Sequence, residues 1–322
     1  MVMKTINTEF AYDDEFYSVF NVPDIVKPFI HYFVTKQEVN LVLLLNQGIK
    51  NERGLSVSLG LTGGDLKDLL ESAYRRAVID YDGQSMYTAS TFYDRLQYFT
   101  QYENEKWLKI PVKVRQSVDK WFFGMFTLRT KEKLAKDSYV GNLVLPIDKA
   151  IEYLEKNMEN AEGEYYIVPC VCRTTAKSCS NPLNTCIVRE YGPNTHADRG
   201  YAQTLSFDKV KQLMYEFDEK KLVHIVSQDG NTICHCETCC CYELRTSLEL
   251  ESKGRYPQIK YTARIIADKC VQCKLCMDRC YFDAITFVES CNLAIDGLKC
   301  YGCGLCEKSC PQEAVCLESL FE

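Results

Sequence analysis

No cysteine occurs before position 170, although the chain of 322 residues carries nineteen. Also lacking is the mark of a secreted disulfide protein, because the opening Met-Val-Met-Lys-Thr-Ile-Asn-Thr-Glu-Phe has no apolar core behind a basic end. Long apolar runs are missing too: Leu41 to Leu45 is far shorter than the roughly 20 residues that cross a bilayer. These absences predict a cytoplasmic protein with no membrane association. Clustered thiols in a reducing compartment bind metal more often than they pair.

Positive charge is not in excess. The formal net charge is −6. Residues 1–140 hold 18 basic and 18 acidic side chains, so the deficit falls in residues 141–322, with 20 basic and 26 acidic. No basic patch for nucleic acid is expected. An acidic surface suits docking to a protein redox partner. The chain also lacks a G-x-G-x-x-G fingerprint, a Walker phosphate loop, an H-E-x-x-H pair and a G-x-S-x-G elbow. Of its four histidines, His31 and His224 lie in apolar segments and read as core or half-buried, while His196 sits in a loop with no acidic or cysteine residue adjacent to it in the sequence. No catalytic constellation can be named. The chain reads as an electron-transfer protein, or a subunit of an oxidoreductase complex, more than as a stand-alone enzyme.

What is present divides the chain by chemistry. Nine cysteines fall between Cys170 and Cys241, and ten follow from Cys270 onward. Three domains are expected, over residues 1–140, 141–255 and 256–322, giving an α+β protein. In the first, Pro23 suits a helix start and Ile25, Val26, Phe29, Ile30 and Phe33 keep helical spacing. A second helix covers Glu38 to Asn46 and a short one ends near Leu59. Thr62 and Asp65 form a capping pair for a helix carrying Leu66, Leu69, Leu70, Ala73 and Ala77 on one face. Asp82-Gly83 then predicts a two-residue hairpin turn. Three helices and a hairpin in this order resemble a winged helix, and two more helices follow. The middle domain is mixed α/β. It has a helix from Ile147 to about Asn160, strands at Tyr165–Val168 and Leu222–Val226, and a helix from Ser206, so that both middle cysteine groups sit at strand exits.

Residues 270–280 read Cys-Val-Gln-Cys-Lys-Leu-Cys-Met-Asp-Arg-Cys, and residues 300–311 read Cys-Tyr-Gly-Cys-Gly-Leu-Cys-Glu-Lys-Ser-Cys-Pro. Both are C-x2-C-x2-C-x3-C. Three thiolates on one tight loop can cap three irons of a cubane, while the fourth points to another cluster. A zinc site normally uses two C-x2-C pairs and not eight cysteines in two repeated runs. The stretch 262–318 resembles the two-cluster bacterial ferredoxins, with a ferredoxin-like fold. That resemblance implies one [4Fe–4S] cluster on Cys270, Cys273, Cys276 and Cys310, and a second on Cys300, Cys303, Cys306 and Cys280. Tyr281 stands where the family usually has proline. Cys291 and Cys316 lie outside the motif, and Cys316 reads as a core residue.

The middle cysteines are Cys170, Cys172, Cys179 and Cys186, then Cys234, Cys236, Cys239, Cys240 and Cys241 around His235. The upstream P-C-x-C-R run and the later C-x-C-x-x-C-C-C run resemble ferredoxin-fused iron–sulfur proteins of anaerobic bacteria, over most of the chain. One or two further [4Fe–4S] clusters are expected, and two fit better, because Cys239, Cys240 and Cys241 point in different directions. A structural zinc or a redox-active dithiol is the alternative chemistry. His235 reads as a hydrogen-bond donor or an exposed residue more than as a ligand. Arg173 and Arg189 can offset thiolate charge. Low-potential electron transfer between protein partners is the leading function. The alternative is a redox-sensing transcription regulator, whose recognition helix, residues 63–77, sets Lys67, Arg75 and Arg76 against Asp65, Asp68 and Glu71, for no net charge.

Overall fold

The computed structural model describes residues 14–136, 139–158, 162–288 and 292–321. Cys291 lies outside them. The chain forms two compact units, residues 1–122 with 192–201, and residues 123–191 with 202–322. Helices and strands are mixed, as expected for an α+β protein. Among the described residues, no helix is long and apolar enough to cross a membrane.

The first unit contains α1 (Asp14–Val19), α2 (Lys36–Asn46), α3 (Glu52–Leu59), α4 (Gly64–Arg75), the hairpin β1 (Ile79–Tyr81) and β2 (Tyr87–Ala89), α5 (Phe92–Tyr102), α6 (Asn104–Lys109) and the start of α7 (Val112–Leu134). Local chemistry sets most of these ends. Thr35 and Glu38 make a reciprocal capping box on α2. Asn51 caps α3, which stops at left-handed Gly60.

Four local expectations need correction. Residues 27–32 form a 3-10 turn with Pro28 at its start, not an α-helix from Pro23. The cap of α4 is Gly63 at φ +57, without a side-chain bond, so Thr62 does not cap it. The hairpin exists but its loop is longer than two residues: Tyr81 pairs with Tyr87, and the Asp82 carboxylate accepts from the amides of Gln84, Ser85 and Met86. That carboxylate replaces the two-residue turn as the organiser. His31 is exposed rather than core.

Phe16, Phe20, Phe33, Phe92, Phe99 and Trp107 are fully buried in this unit. Beside them lies a buried ionic network. Arg76 holds both oxygens of Glu38 at 2.6 and 2.7 Å and reaches Glu103 at 3.2 Å. Arg95, with no exposed surface, pairs with Glu103 and donates to the Phe33 carbonyl at 2.9 Å. The segment 192–201 joins the unit through Arg199, which donates to Ile79 O and pairs with Asp80. Its guanidinium also lies 4.4 Å from the Tyr74 ring centre.

The second unit is built on a seven-stranded sheet. Its elements are β3 (Leu143–Leu145), α8 (Ile147–Met158), β4 (Glu164–Pro169), α9 (Val171–Ala176), β5 (Asn184–Glu190), β6 (Gln203–Leu205), α10 (Phe207–Glu219), β7 (Val223–Val226), β8 (Thr232–Cys236), α11 (Tyr242–Glu249) and β9 (Gln258–Ile259). The strand order is β6-β4-β5-β8-β7-β3-β9. All pairs are antiparallel except β3 with β9.

The same unit continues through β10 (Tyr261–Ile265), α12 (Leu275–Asp278), β11 (Ile285–Val288), β12 (Asn292–Ile295), α13 (Leu305–Lys308) and β13 (Val315–Ser319). Here β10 pairs with β13 and β11 with β12.

Strand alternation sorts the sheet's residues. Leu143, Leu145, Ile187, Val226 and Ile233 pack with α8 and α10. Their neighbours Val144, Ile225, Cys234 and Cys236 pack with the segment carrying the two repeated cysteine runs.

Glu103→Ala should strip Arg95 of its carboxylate partner and destabilise the first unit by about 3–5 kcal/mol, the usual cost of orphaning a buried charge. A shift in the denaturation midpoint measures it. Burial opposes ionisation of Glu103, but Arg95 and Arg76 outweigh it and hold the carboxyl below its ordinary value. Its stabilisation should therefore be complete above about pH 4.3 and fade as pH falls through the lowered folded value. The Ala variant should lose this acid dependence.

Candidate metal centres

The two repeated runs have the same backbone shape. Gln272, Lys274 and Asp283 take positive φ in the first, and Gly302, Gly304 and Glu313 take it at the matching positions in the second. Each run thus winds tightly enough to turn successive thiols inward. At Gly302 the tightness is severe, since a Cβ would lie 2.0 Å from the Tyr261 carbonyl oxygen.

Two cavities result. Cys270, Cys273, Cys276 and Cys310 line one, and Cys280, Cys300, Cys303 and Cys306 line the other. The fourth cysteine of each run thus lies with the first three of the other. Apolar side chains complete both walls: Ile265, Leu293 and Val315 in one, Phe282, Ile285 and Leu305 in the other. Backbone amides point at sulfur. Ala263 and Gly302 donate to Cys300 at 3.5 and 3.4 Å, and Ala314 donates to Cys310 at 3.2 Å.

Three converging thiols, a fourth from the partner run, a dry wall and N–H donors fit a thiolate-ligated cluster. The cavities differ in exposure. Cys273 is exposed, whereas burial pushes the Cys303 thiol up to about 12 and that of Cys306 higher still.

The middle cysteines separate into two sets. Cys170 follows β4 and caps α9, Cys172 lies in α9, Cys186 lies in β5 opposite Cys234 of β8, Cys236 ends β8, and Cys241 caps α11. Cys170 thus stands at the exit of β4 as expected and Cys236 at the end of β8, whereas Cys186 and Cys234 lie inside paired strands and not at strand exits. Cys170 interacts with Cys172 and Cys186, Cys241 with Cys172 and Cys236, and Cys234 with Cys186 and Cys236. Six sulfurs close a ring in the order Cys170, Cys172, Cys241, Cys236, Cys234, Cys186. Interaction with ring neighbours lowers Cys170, Cys234 and Cys241 and raises Cys172, Cys186 and Cys236 relative to an ordinary thiol. A ring of thiols of this kind can give up protons to a metal and offer thiolate ligands.

The remaining thiols, Cys179, Cys239 and Cys240, gather with Glu237, which the sequence reading missed. Its only sequence signal is its place between Cys236 and Cys239. Tyr281 feels the charge of this group: burial first, then Glu237 and Cys239, raise its phenol to about 12.

Arg173 is fully buried, donates to Pro182 O, Thr185 Oγ1 and His235 O, and lies 3.8 Å from Glu237. Burial opposes its charge, but the Cys170, Cys240, Cys236 and Cys179 sulfurs keep it cationic. Arg189 instead binds Asn231 and the Asp229 carbonyl, and so holds a turn. His235 is buried rather than exposed. Its Nδ1 meets Thr185 O at 2.7 Å, and burial lowers its pKa well below normal, so the ring is neutral. Cys316 is half-buried in β13 and lines neither cavity.

Among protein families, the 4Fe-4S binding domain matches residues 263–286, from within β10 through the first cysteine run into β11. No curated protein and no solved structure matches the chain significantly. The match supports a ferredoxin-type site with at least one [4Fe–4S] cluster in this part of the chain, and with it iron–sulfur electron transfer as the general role.

Proposed function

We propose that this protein is a low-potential electron carrier, or an electron-transfer subunit, working between protein redox partners in the cytoplasm of an anaerobe. The observation that carries the reading is the exchange of Cys280 and Cys310 between two adjoining thiol-lined cavities. Each cavity is assigned a [4Fe–4S] cluster, and the ring of six thiols at least one further iron–sulfur cluster. Bound clusters of this kind supply one-electron exchange with little rearrangement. The protein's own part is to exclude water from Cys300 and Cys306, to donate amide hydrogens to Cys300 and Cys310, and to leave Cys273 accessible. Val271 and Leu275 flank Cys273 and are 62% and 46% exposed, which suits a docking face for a protein partner.

Residues 1–140, 141–255 and 256–322 serve in this reading as docking, middle-cluster and ferredoxin segments. The helices α2 to α4 followed by the β1–β2 hairpin support a winged-helix assignment for the first. Its recognition helix is poorly equipped for DNA. Arg76 is spent on Glu38, Glu103 and the Phe33 carbonyl, and Arg75 lies 4.8 Å from the centre of the Tyr201 ring. We therefore favour protein docking over the regulator reading.

Anaerobically purified protein should contain iron and labile sulfide in excess of the eight of each that two cubanes hold. Cys310→Ser should damage the cluster of the 270–276 loop and Cys280→Ser that of the 300–306 loop, as resolved by EPR. Damage confined to each variant's own loop would refute the crossed ligation. Val271→Glu and Leu275→Glu should slow electron transfer to a partner several-fold while iron content stays unchanged. Sequence-specific duplex binding that changes with cluster oxidation state would instead establish the regulator.

A further inference from the structure

The ligand atoms of Cys179, Glu237, Cys239 and Cys240 all lie within 4.8 Å of one another, and among the described residues no other three or more Cys, His, Asp or Glu side chains gather so closely. That span decides the kind of metal. Four ligands around one tetrahedral ion, with metal–sulfur bonds of about 2.3 Å, sit about 3.8 Å apart. A cubane places its four ligands on four separate irons and spreads them well beyond that distance. The ferredoxin-like thiols, which line open cavities, do not form so tight a group.

The donors suit a borderline cation. Three sulfurs and one carboxylate form a closed mixed set of the type zinc accepts. Cys240 and Glu237 are 1% and 7% exposed, so two of the four ligands are shielded from water. Glu237 is held in place from outside the set, because Asn181 Nδ2 donates to its Oε1 at 2.9 Å and the Arg173 Nε lies 3.8 Å away. With all four ligands ionised, one divalent ion leaves two negative charges, and the buried Arg173 guanidinium offsets part of them. The chain also brings the two sides together: Ser178 Oγ donates to the Cys239 carbonyl at 3.2 Å, joining the loop after α9 to the turn before α11.

We propose that Cys179, Glu237, Cys239 and Cys240 form a mononuclear zinc site, distinct from the iron–sulfur positions, that clamps the loop after α9 to the turn before α11. Glu237 is its carboxylate ligand. Zinc has no accessible redox change, so the site fixes the frame around the six-thiol ring and takes no part in electron flow. The assignment is independent of the carrier reading, because its ligands are not those of the two cavities or of the ring.

The test uses full-length protein purified anaerobically, with zinc, iron and sulfide measured on one sample. One tightly bound zinc per chain is expected. X-ray absorption at the zinc edge should show a shell of three sulfurs and one oxygen. Glu237→Gln and Cys240→Ser should each lose that zinc while iron, sulfide and the EPR spectrum stay as in the parent. Zinc-free parent protein would overturn the proposal, as would a four-sulfur shell or a variant that loses about four irons with four sulfides. The absorption measurement needs only the parent protein, so it decides the matter even if a variant fails to fold.

Discussion

Strand alternation in the seven-stranded sheet is the constraint on which the rest of the second unit depends. A pleated strand must send successive side chains to opposite faces. In β8, Ile233 goes to the helices α8 and α10, while Cys234 and Cys236 go to the opposite face. Pairing of Cys186 with Cys234 then carries β5 into the same scheme. Sulfur collects on one face because apolar side chains occupy the other. A one-residue slip of β8 would turn two ring thiols into the helix-packed core and open the ring.

So dense a set of sulfurs needs counter-charge. Arg173 provides it from full burial, where Nη1 donates to Pro182 O and Thr185 Oγ1, Nη2 donates to His235 O, and Nε faces the Glu237 carboxylate at 3.8 Å. Its bonds to Pro182, Thr185 and His235 also tie the α9–β5 region to β8. Other ionisable groups nearby adapt in the opposite sense. Burial, reinforced by the Cys241 and Cys234 sulfurs, pushes the Glu243 carboxyl well above its normal range, so that it is neutral and shares a hydrogen bond with Asn142. Neutral His235 likewise adds no charge.

Sequence reading succeeds here where the causes are local. The C-x2-C-x2-C spacing is enforced by a short loop, so it survives as a printed pattern, and the capping Ser206 of α10 lies beside the helix it starts. It fails where a competing local group or a distant partner decides. Gly63 displaced Thr62 as a cap through backbone freedom, and one Asp82 carboxylate converted an expected two-residue turn into a longer loop. The split of nine thiols into a ring of six and a trio with Glu237 depends on the β5–β8 register, which no spacing reveals. Nor does any local signal attach residues 192–201 to the first unit, because Arg199 meets Asp80 only after folding.

Taken with the proposed clusters, the geometry orders the redox positions. The six-thiol ring touches α11 at both ends of one peptide, since Cys241 caps the helix and the Tyr242 amide donates to Cys172. From the same helix, Ser247 Oγ meets the Tyr301 hydroxyl at 2.8 Å, within the loop that carries Cys300, Cys303 and Cys306. Tyr301 stacks on Phe282 at 4.0 Å, and both rings line that cavity. Cys306 in turn lies close enough to feel the charge of Cys276, in the neighbouring cavity, where Cys273 meets solvent. Exposure rises along this path. A cluster buried from water is shielded from oxidants and from adventitious exchange, while one at the surface can meet a partner. Among the described residues of the ferredoxin-like segment, Cys273 is the exposed thiol, and the enclosed ring thiols stand farthest along this path from it, an arrangement that suits the proposed carrier by shielding its inner clusters while offering one to a partner.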